Sequence, residues 1–227
     1  MDVKTCYAEE ERLHIALVTE TYTPEVNGVA MTLERLVRDL SSDGHRIDIF
    51  RPAQSKNDRS ACLDRINHTV MPGMPIPGYR EMHFSFPSGR FLLARWQQQL
   101  PDAIYVATEG PLGMSAVNAA LRLKIPVVSG FHTNFHRYCN HYRVGWMAPA
   151  IVAYLRRLHN KTDMTLVPTR AMAQDLQLRG FRNVEIMQRG VDTSLFSPLR
   201  RSLELRKHWG TDEYSIVCIY VGRIAAE

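Results

Sequence analysis

The sequence contains no long uninterrupted apolar segment, and none of its apolar runs approaches the ~18–20 residues that a membrane-spanning helix needs. Its first residues, MDVKTCYAEEERLH, are polar and acidic and lack the apolar core of a secretory signal. The four cysteines are widely spaced and form no CxxC pair, which argues against a disulfide framework. These features predict a soluble cytoplasmic protein with free thiols.

Two phosphate-binding signatures are also missing. The chain has neither a GxGxxG nor a GxxxxGK[ST] motif, which disfavours a dinucleotide site and a P-loop. It has no dense run of lysine and arginine, and its net charge of +5 is modest, so we expect no nucleic-acid partner. What the chain does have is 227 residues with 45% apolar composition, enough to build a full hydrophobic core.

Short apolar runs alternate with longer helical patterns along the chain. Apolar runs without strict alternation indicate buried parallel strands, so the predicted fold class is α/β, a doubly wound parallel sheet with helices on both faces. The predicted strands are residues 13–19, 45–50, 67–71, 103–107, 126–130, 164–167, 184–187 and 214–221. The predicted helices are residues 29–40, 91–100, 114–123, 145–159 and 171–179. The proline-rich segment 71–89 is predicted to be a loop.

The composition changes near the end of the chain. Residues 197–212 are charged and interrupted by proline, as linkers are. An apolar strand is predicted immediately after them, and the sequence stops six residues later. Because one strand cannot form a domain, we expect the chain to end at the start of a second domain.

Ligands of open α/β sheets bind in the crevice outside the carboxyl ends of the strands. Asn27 and Gly28 lie between the first predicted strand and its helix, where bare backbone and a helix N-terminus suit an anion. An ordinary turn would explain the same pair equally well. Glu109, in EGPLG, either enters the crevice or adds negative charge to a helix start.

Two further polar groups follow predicted strands. His132, in FHTNFHRYCNHY, comes directly after a buried strand, where it could donate a hydrogen bond or act as an acid or base. Arg189 and Asp192, in RGVDTSLFSP, could bind a polar ligand, or Asp192 could bond to a local turn. The histidines and the cysteine of FHTNFHRYCNHY could also suggest a zinc site. Their spacing matches no standard zinc motif, so no metal is expected. The residues of that rejected zinc set are His132, His136, Cys139 and His141.

Several of these segments occur together in an order that resembles the retaining glycosyltransferases of the GT-B type, family GT4. They are VTETYTPEVNGVAMTLERLVRDLSSDGHRIDIFRP, FHTNFHRY, VPT, RGVDTSLFSP and YVGRIAAE. The resemblance extends from about residue 14 to residue 227. PIPGYREMHF and TEGPLG are most similar to bacterial α-mannosyltransferases that use GDP-mannose and to sulfoquinovosyl- and glycolipid-making relatives.

The resemblance implies two Rossmann-like domains facing each other across a cleft. Residues 1–198 would be the N-terminal, acceptor-side domain, 199–213 a linker, and 214–227 the first strand of a truncated nucleotide-sugar-binding domain. The implied reaction is transfer of a hexosyl group from GDP-mannose or a UDP-hexose to a lipid or saccharide acceptor, with no metal or other cofactor. The lysine of the family's G-R-x-x-x-E-K motif would follow Glu227, so we expect this chain to have little activity alone.

The resemblance also implies roles for individual residues. His132 would hydrogen-bond the transferred sugar as the catalytic residue, and the diphosphate would meet Asn27, Gly28, Gly222 and Arg223. The acceptor-side cleft would contain Glu20, Tyr79, Glu109, Asn134, Tyr138, Arg189 and Asp192. The basic and aromatic segment 75–96 would additionally place the protein on an anionic membrane surface, at the inner face of the cytoplasmic membrane.

Two other readings of the sequence stay open. The chain could be a non-catalytic module that binds an acceptor, a lipid or a partner and works with a separate donor-binding half. An α/β enzyme such as an epimerase would share the fold but leave the ordered motifs unexplained.

Overall fold

The computed structural model describes residues 12–55, 57–76, 79–132 and 148–220. Within them, ten strands follow one another along the chain. They are β1 (His14–Val18), β2 (Arg46–Pro52), β3 (Ala61–Leu63), β4 (Ile66–Met71), β5 (Gly73–Ile76), β6 (Tyr79–Ser85), β7 (Ala103–Val106), β8 (Val127–Gly130), β9 (Met164–Val167) and β10 (Val184–Ile186).

Six α-helices of the same described ranges connect or follow these strands. They are α1 (Gly28–Ser42), α2 (Gly89–Gln98), α3 (Pro111–Leu123), α4 (Ala148–His159), α5 (Arg170–Leu178) and α6 (Leu203–His208). The helix α1 shows why the sequence folds this way locally: Asn27 caps it, and Ala30, Leu33 and Val37 form its buried stripe at helical spacing. The chain leaves this helix through Gly44, whose φ of 94° lies in the left-handed region that glycine tolerates.

Eight strands form one sheet in the order β10-β9-β8-β7-β1-β2-β4-β3. All neighbouring pairs are parallel except β3 and β4, which are antiparallel. The chain moves outward from β1 in one direction through β2, and β7 pairs with the other edge of β1. Strand order therefore reverses between β1 and β7, and such a switch point opens a crevice at the carboxyl ends of the two strands.

Helices cover both faces of the sheet. On one face, Leu33 and Val37 of α1 pack against Leu17 of β1. On the other, Trp96 of α2 packs in a cluster with Val18 of β1 and with α3. A third cluster joins α4 and α5 to β9 and β10. The predicted α/β, Rossmann-like, doubly wound parallel sheet is confirmed.

The proline-rich segment 71–89 is not a loop, contrary to the prediction. Its residues form the antiparallel pair β5–β6, with a register shift at Pro75 and Ile76. A two-stranded ribbon has a free edge on each strand, so a proline there removes no ladder hydrogen bond from a neighbouring strand. Gly73 is required at the close approach, because a Cβ on it would lie 2.4 Å from the carbonyl oxygen of Phe84.

The end of the described chain also differs from the prediction. Residues 214–220 form no strand, and Ile216 is 93% exposed. Local contacts shape this segment instead: Asp212 accepts hydrogen bonds from the backbone N–H groups of Tyr214 and Ser215. A strand requires a neighbouring strand to pair with, and this segment joins neither edge of the sheet. The assignment of 199–213 and 214–227 to a linker and a second domain stays a prediction.

Candidate functional site

The loop between β1 and α1 is held by its own side chains. Asn27 Oδ1 accepts hydrogen bonds from the backbone N–H groups of Val29 (3.0 Å) and Ala30 (2.9 Å). Its amide nitrogen donates to Thr21 Oγ1 at 2.7 Å. Asn27 therefore occupies two of the amides that open the helix, and bare backbone for an incoming anion is left at Gly28.

Arg189 lies beside that bare backbone. A Cβ built on Gly28 would be 3.2 Å from Nη1 of Arg189, which places the guanidinium against the start of α1. The loop that carries Arg189 is attached to the same helix by an ion pair between Asp192 and Arg35, with 3.1 Å between Oδ2 and Nη2. Within the described residues, Arg189 itself makes no ion pair, so its charge is available to a ligand.

His132 lies at the carboxyl end of β8, as the sequence predicts. Its Nε2 is 2.8 Å from the hydroxyl oxygen of Tyr105, and the two rings meet edge to face. Gly130 makes this contact possible, because a Cβ there would lie 2.5 Å from both of those atoms. One hydrogen bond thus holds the imidazole in place, and the absence of a Cβ at Gly130 leaves room for it.

The surroundings keep His132 uncharged. The pKa of His132 is lowered to about 4, mainly by burial and in smaller part by the positive charges of Arg189 and His159. Burial raises the pKa of Tyr105 above its usual range, with the charge of Glu109 adding to the effect. At neutral pH the pair is a neutral imidazole against a neutral phenol, near the positive charge of Arg189.

Glu20, a second predicted cleft residue, follows β1 and is 8% exposed. Its carboxylate accepts hydrogen bonds from the backbone N–H groups of Ser85 (2.6 Å) and Leu112 (3.0 Å). The pKa of Glu20 is raised to about 7, because burial outweighs the lowering effect of these two hydrogen bonds. The carboxylate therefore joins the end of β6 to the start of α3, and both of its oxygens are already in use.

Glu109 is also buried, at 7% exposure, and faces another histidine. Its Oε1 lies 3.5 Å from Nε2 of His159, whose Nδ1 is 2.8 Å from the hydroxyl of Ser129. His159 has no exposed surface. These buried polar groups face one another, so the geometry gives Glu109 a role inside the protein.

The structure thus brings several predicted residues to one edge of the sheet and leaves others out of the described part. Tyr79 lies in β6, and its side chain is outside the described residues. The predicted residues outside the described part are Asn134, Tyr138, Gly222 and Arg223, and with them His136, Cys139 and His141 of the zinc alternative. The described residues contain no group of three potential ligands that could hold a metal ion.

Tyr105 and His159 were not among the predicted site residues. Tyr105 lies inside the predicted strand 103–107, and no role was predicted for it. A signal for it did exist, because a tyrosine near the carboxyl end of a buried strand must find a partner for its hydroxyl. For His159, at the end of a helix, the local sequence offers no such signal.

Among the described residues, the open groups of the crevice are few and chemically matched. A bare helix start and an unpaired guanidinium suit a phosphate. A neutral imidazole suits a sugar hydroxyl, to which it can donate or from which it can accept a hydrogen bond. The geometry therefore fits a ligand that carries phosphate and sugar groups side by side.

Comparisons with known proteins agree with this chemistry. Residues 26–195 match the family described as Glycosyltransferase Family 4. The chain is 31% identical over 217 residues to a GDP-mannose-dependent alpha-mannosyltransferase of Mycobacterium tuberculosis (strain CDC 1551 / Oshkosh), covering 95% of this chain and 57% of that protein. It is 27% identical to an alpha-monoglucosyldiacylglycerol synthase of Streptococcus pneumoniae (strain ATCC BAA-255 / R6), covering 95% and 50%.

A solved structure supports the fold. Sucrose-phosphate synthase from Thermosynechococcus elongatus superposes with a TM-score of 0.60 at 13% identity, over 88% of this chain and 53% of that one. The chain thus spans about half the length of the relatives it matches. No helix among the described residues is both long enough and apolar enough to cross a membrane.

Proposed function

Because the chain belongs to Glycosyltransferase Family 4, we propose that it is the acceptor-side part of a retaining hexosyltransferase. The reaction breaks the bond between the sugar's anomeric carbon and the diphosphate of a nucleotide-sugar. A new bond forms from that carbon to an acceptor hydroxyl oxygen, whose proton is released. The proposed donor is GDP-mannose or a UDP-hexose, and the proposed acceptor is a lipid or a saccharide.

One observation carries this proposal: the convergence of Gly28, Arg189 and His132 at the switch point of the sheet. The first two provide bare backbone and a positive charge for the leaving diphosphate, whose developing negative charge such groups stabilise. The third provides a neutral hydrogen-bonding group for the transferred sugar. We keep Asn27 as the cap that shapes this site, since its oxygen already holds two helix amides.

The proposal assigns most donor contacts to a second domain. The matched relatives are nearly twice as long as this chain, which covers 57% of the mycobacterial protein. Sugar transfer needs donor and acceptor held together, and loss of that positioning removes a large part of the rate. We therefore expect little or no transfer from the 227-residue chain by itself, and no requirement for a divalent metal.

A fusion tests the proposal. Residues 1–212 of this chain would be joined to the corresponding second half of the mycobacterial relative and incubated with GDP-mannose or UDP-glucose and candidate acceptors. Transfer or donor hydrolysis by the fusion, its loss in His132→Ala, and its persistence with a chelator are the expected results. A folded fusion that binds donor but neither transfers nor hydrolyses it would overturn the proposal.

We further propose that an anionic membrane supplies the acceptor. A cavity of about 820 Å³ lies between β4, α2 and α3, lined by Arg90, Arg122 and Phe91. Phe91 is 48% exposed and Phe86, just before α2, is 46% exposed. Within the described ranges neither arginine forms an ion pair, and exposed aromatic rings next to such arginines suit the interface of an anionic bilayer.

Vesicle sedimentation tests this second proposal. The chain is expected to bind vesicles that contain phosphatidylglycerol, to release them as salt increases, and to ignore neutral phosphatidylcholine vesicles. The double variant Arg90→Gln/Arg122→Gln should lose most of this binding, whereas Arg182→Gln, on the opposite end of the sheet, serves as a matched control. Equal binding to neutral and anionic vesicles would contradict it.

A further inference from the structure

We infer that Tyr105 is a positioning residue for His132: its hydroxyl donates to Nε2, fixing the tautomer in which Nδ1–H is the donor offered to the sugar. This inference rests on the proposed function for the identity of the ligand. The tautomer itself is a property of the chain alone.

The hydrogen bond can be built in two ways. A neutral imidazole has one nitrogen that donates and one that accepts, and a phenol can do either. The oxygen of Tyr105 and Nε2 of His132 are 2.8 Å apart, a normal length in both cases. The choice between the two therefore depends on what else each group can reach.

The surroundings of Tyr105 decide it. The residue is 9% exposed, and its hydroxyl has His132 as its only hydrogen-bonding partner in the described part of the chain. If Nε2 carried the proton, the phenol proton would be left in a nearly closed site with no acceptor, which is costly. If the phenol donates instead, both groups are matched, and the single imidazole proton resides on Nδ1.

The remaining nitrogen is the one that a ligand can use. His132 keeps partial exposure, and within the described residues its Nδ1 has no partner. Gly130 underlies the arrangement, because any larger residue would push both rings apart. A donor held in one orientation and one tautomer stabilises a developing transition state better than a ring that exchanges protons freely.

The test measures the tautomer directly by two-bond ¹H–¹⁵N correlation spectra of the histidine rings at pH 7. The wild-type chain is expected to show His132 almost entirely as Nδ1–H. In Tyr105→Phe the ring shape is kept, and we expect the Nε2–H form to increase at least several-fold. Tyr154→Phe is the matched control, because its hydroxyl donates to the backbone oxygen of Glu109 and has no hydrogen bond to any described histidine.

A second variant keeps the inference testable if Tyr105→Phe does not fold. Gly130→Ala should disturb the same pair from below and shift the same His132 signals, while the signals of His159 stay in place. An Nε2–H form in the wild type, or an unchanged tautomer in Tyr105→Phe, would overturn the inference.

Catalysis is read separately in the fusion described above. There, Tyr105→Phe should lower kcat roughly tenfold with little change in the donor KM, as expected for a group that acts in the transition state. An unchanged kcat would also overturn the inference. A fusion that transfers no sugar, in a protein whose tautomer behaves as expected, would overturn the proposed function and leave the hydrogen-bond assignment standing.

Discussion

Two titratable groups at the carboxyl edge of the sheet, the buried Glu20 and the partly buried His132, have their hydrogen-bonding needs met in opposite ways. Both carboxylate oxygens of Glu20 are taken by backbone amides of β6 and α3. Among the described residues, His132 makes one hydrogen bond, to Tyr105, and its second ring nitrogen has no partner. Both residues were predicted to lie in the cleft. The contrast shows that position at the carboxyl edge of the sheet does not by itself distinguish a residue that holds the fold together from one that binds a ligand.

The strongest test of this contrast replaces the open group. His132→Ala in the fusion should reduce transfer by about 10²–10³-fold, the usual loss when one transition-state donor is removed. The free energy of unfolding should fall by only about 1–3 kcal/mol, because the change leaves one buried group, the Tyr105 hydroxyl, without its partner. A large loss of stability with retained transfer would show that His132, like Glu20, has a structural role, and the contrast between the two residues would be wrong.

The converse change removes the anchor. Glu20→Ala leaves the amides of Ser85 and Leu112 without acceptors in a buried site, which should cost roughly 3 kcal/mol of unfolding free energy. Urea denaturation at pH 6 measures it, with Glu204→Ala on the exposed helix α6 as control. A change below that of the control would mean that the carboxylate does not hold these elements together.

The pH dependence of stability should have opposite slopes for the two groups. Because the pKa of Glu20 is raised from 4.5 to about 7 in the folded state, the folded protein binds more protons than the unfolded one between these values. Stability from this group is therefore full below about pH 4.5 and falls by about 3 kcal/mol as pH rises to 7. Glu20→Gln should remove that fall.

For His132 the sign is reversed. Its pKa is lowered from 6.5 to about 4 by burial, so the folded state resists protonation. Stability from this group is full above pH 6.5 and is lost as pH falls toward 4, again by about 3 kcal/mol. His132→Asn should remove the acid-side loss and leave the alkaline side unchanged. Denaturant midpoints measured every half pH unit would show whether the two slopes separate.

A smaller effect on stability is expected at Gly110, the glycine that leaves room for the Glu20 carboxylate. A Cβ on Gly110 would lie 2.2 Å from Oε1 of Glu20, whereas one on Gly190 would meet nothing within 4 Å. Gly110→Ala should therefore lose about 1–3 kcal/mol through crowding. Gly190→Ala, the matched control, should be nearly neutral in thermal unfolding. Equal stability of the two variants would show that Glu20 moves freely, which its two hydrogen bonds argue against.

The smallest expected effect on stability concerns the loop beside the open group. Arg35 and Asp192 form an ion pair on the surface, where such pairs contribute little. Arg35→Ala should leave the unfolding midpoint unchanged. It should raise the donor KM of the fusion, since the ion pair holds the loop that places Arg189 at Gly28. An unchanged donor KM would indicate that Arg189 does not contribute to diphosphate binding.

Local sequence was sufficient for the alternation of strands and helices, because cap residues and apolar periodicity act over a few positions. It placed His132 at a strand end and Gly28 at a helix start. It was wrong for the hairpin β5–β6, where tertiary pairing overrides the proline signal, and for residues 214–220, where an apolar run has no strand to pair with.

The tertiary structure alone decided which polar groups are hydrogen-bonded within the protein and which remain available to a ligand. Glu20 meets the amide of Leu112, which is 92 positions away, and Arg189 meets the bare backbone of Gly28 across the sheet. No local pattern specifies such partners, because they depend on strand order and on the register of parallel strands. The sequence determined where the crevice lies, and the packing of distant segments determined which of its residues remain free to bind.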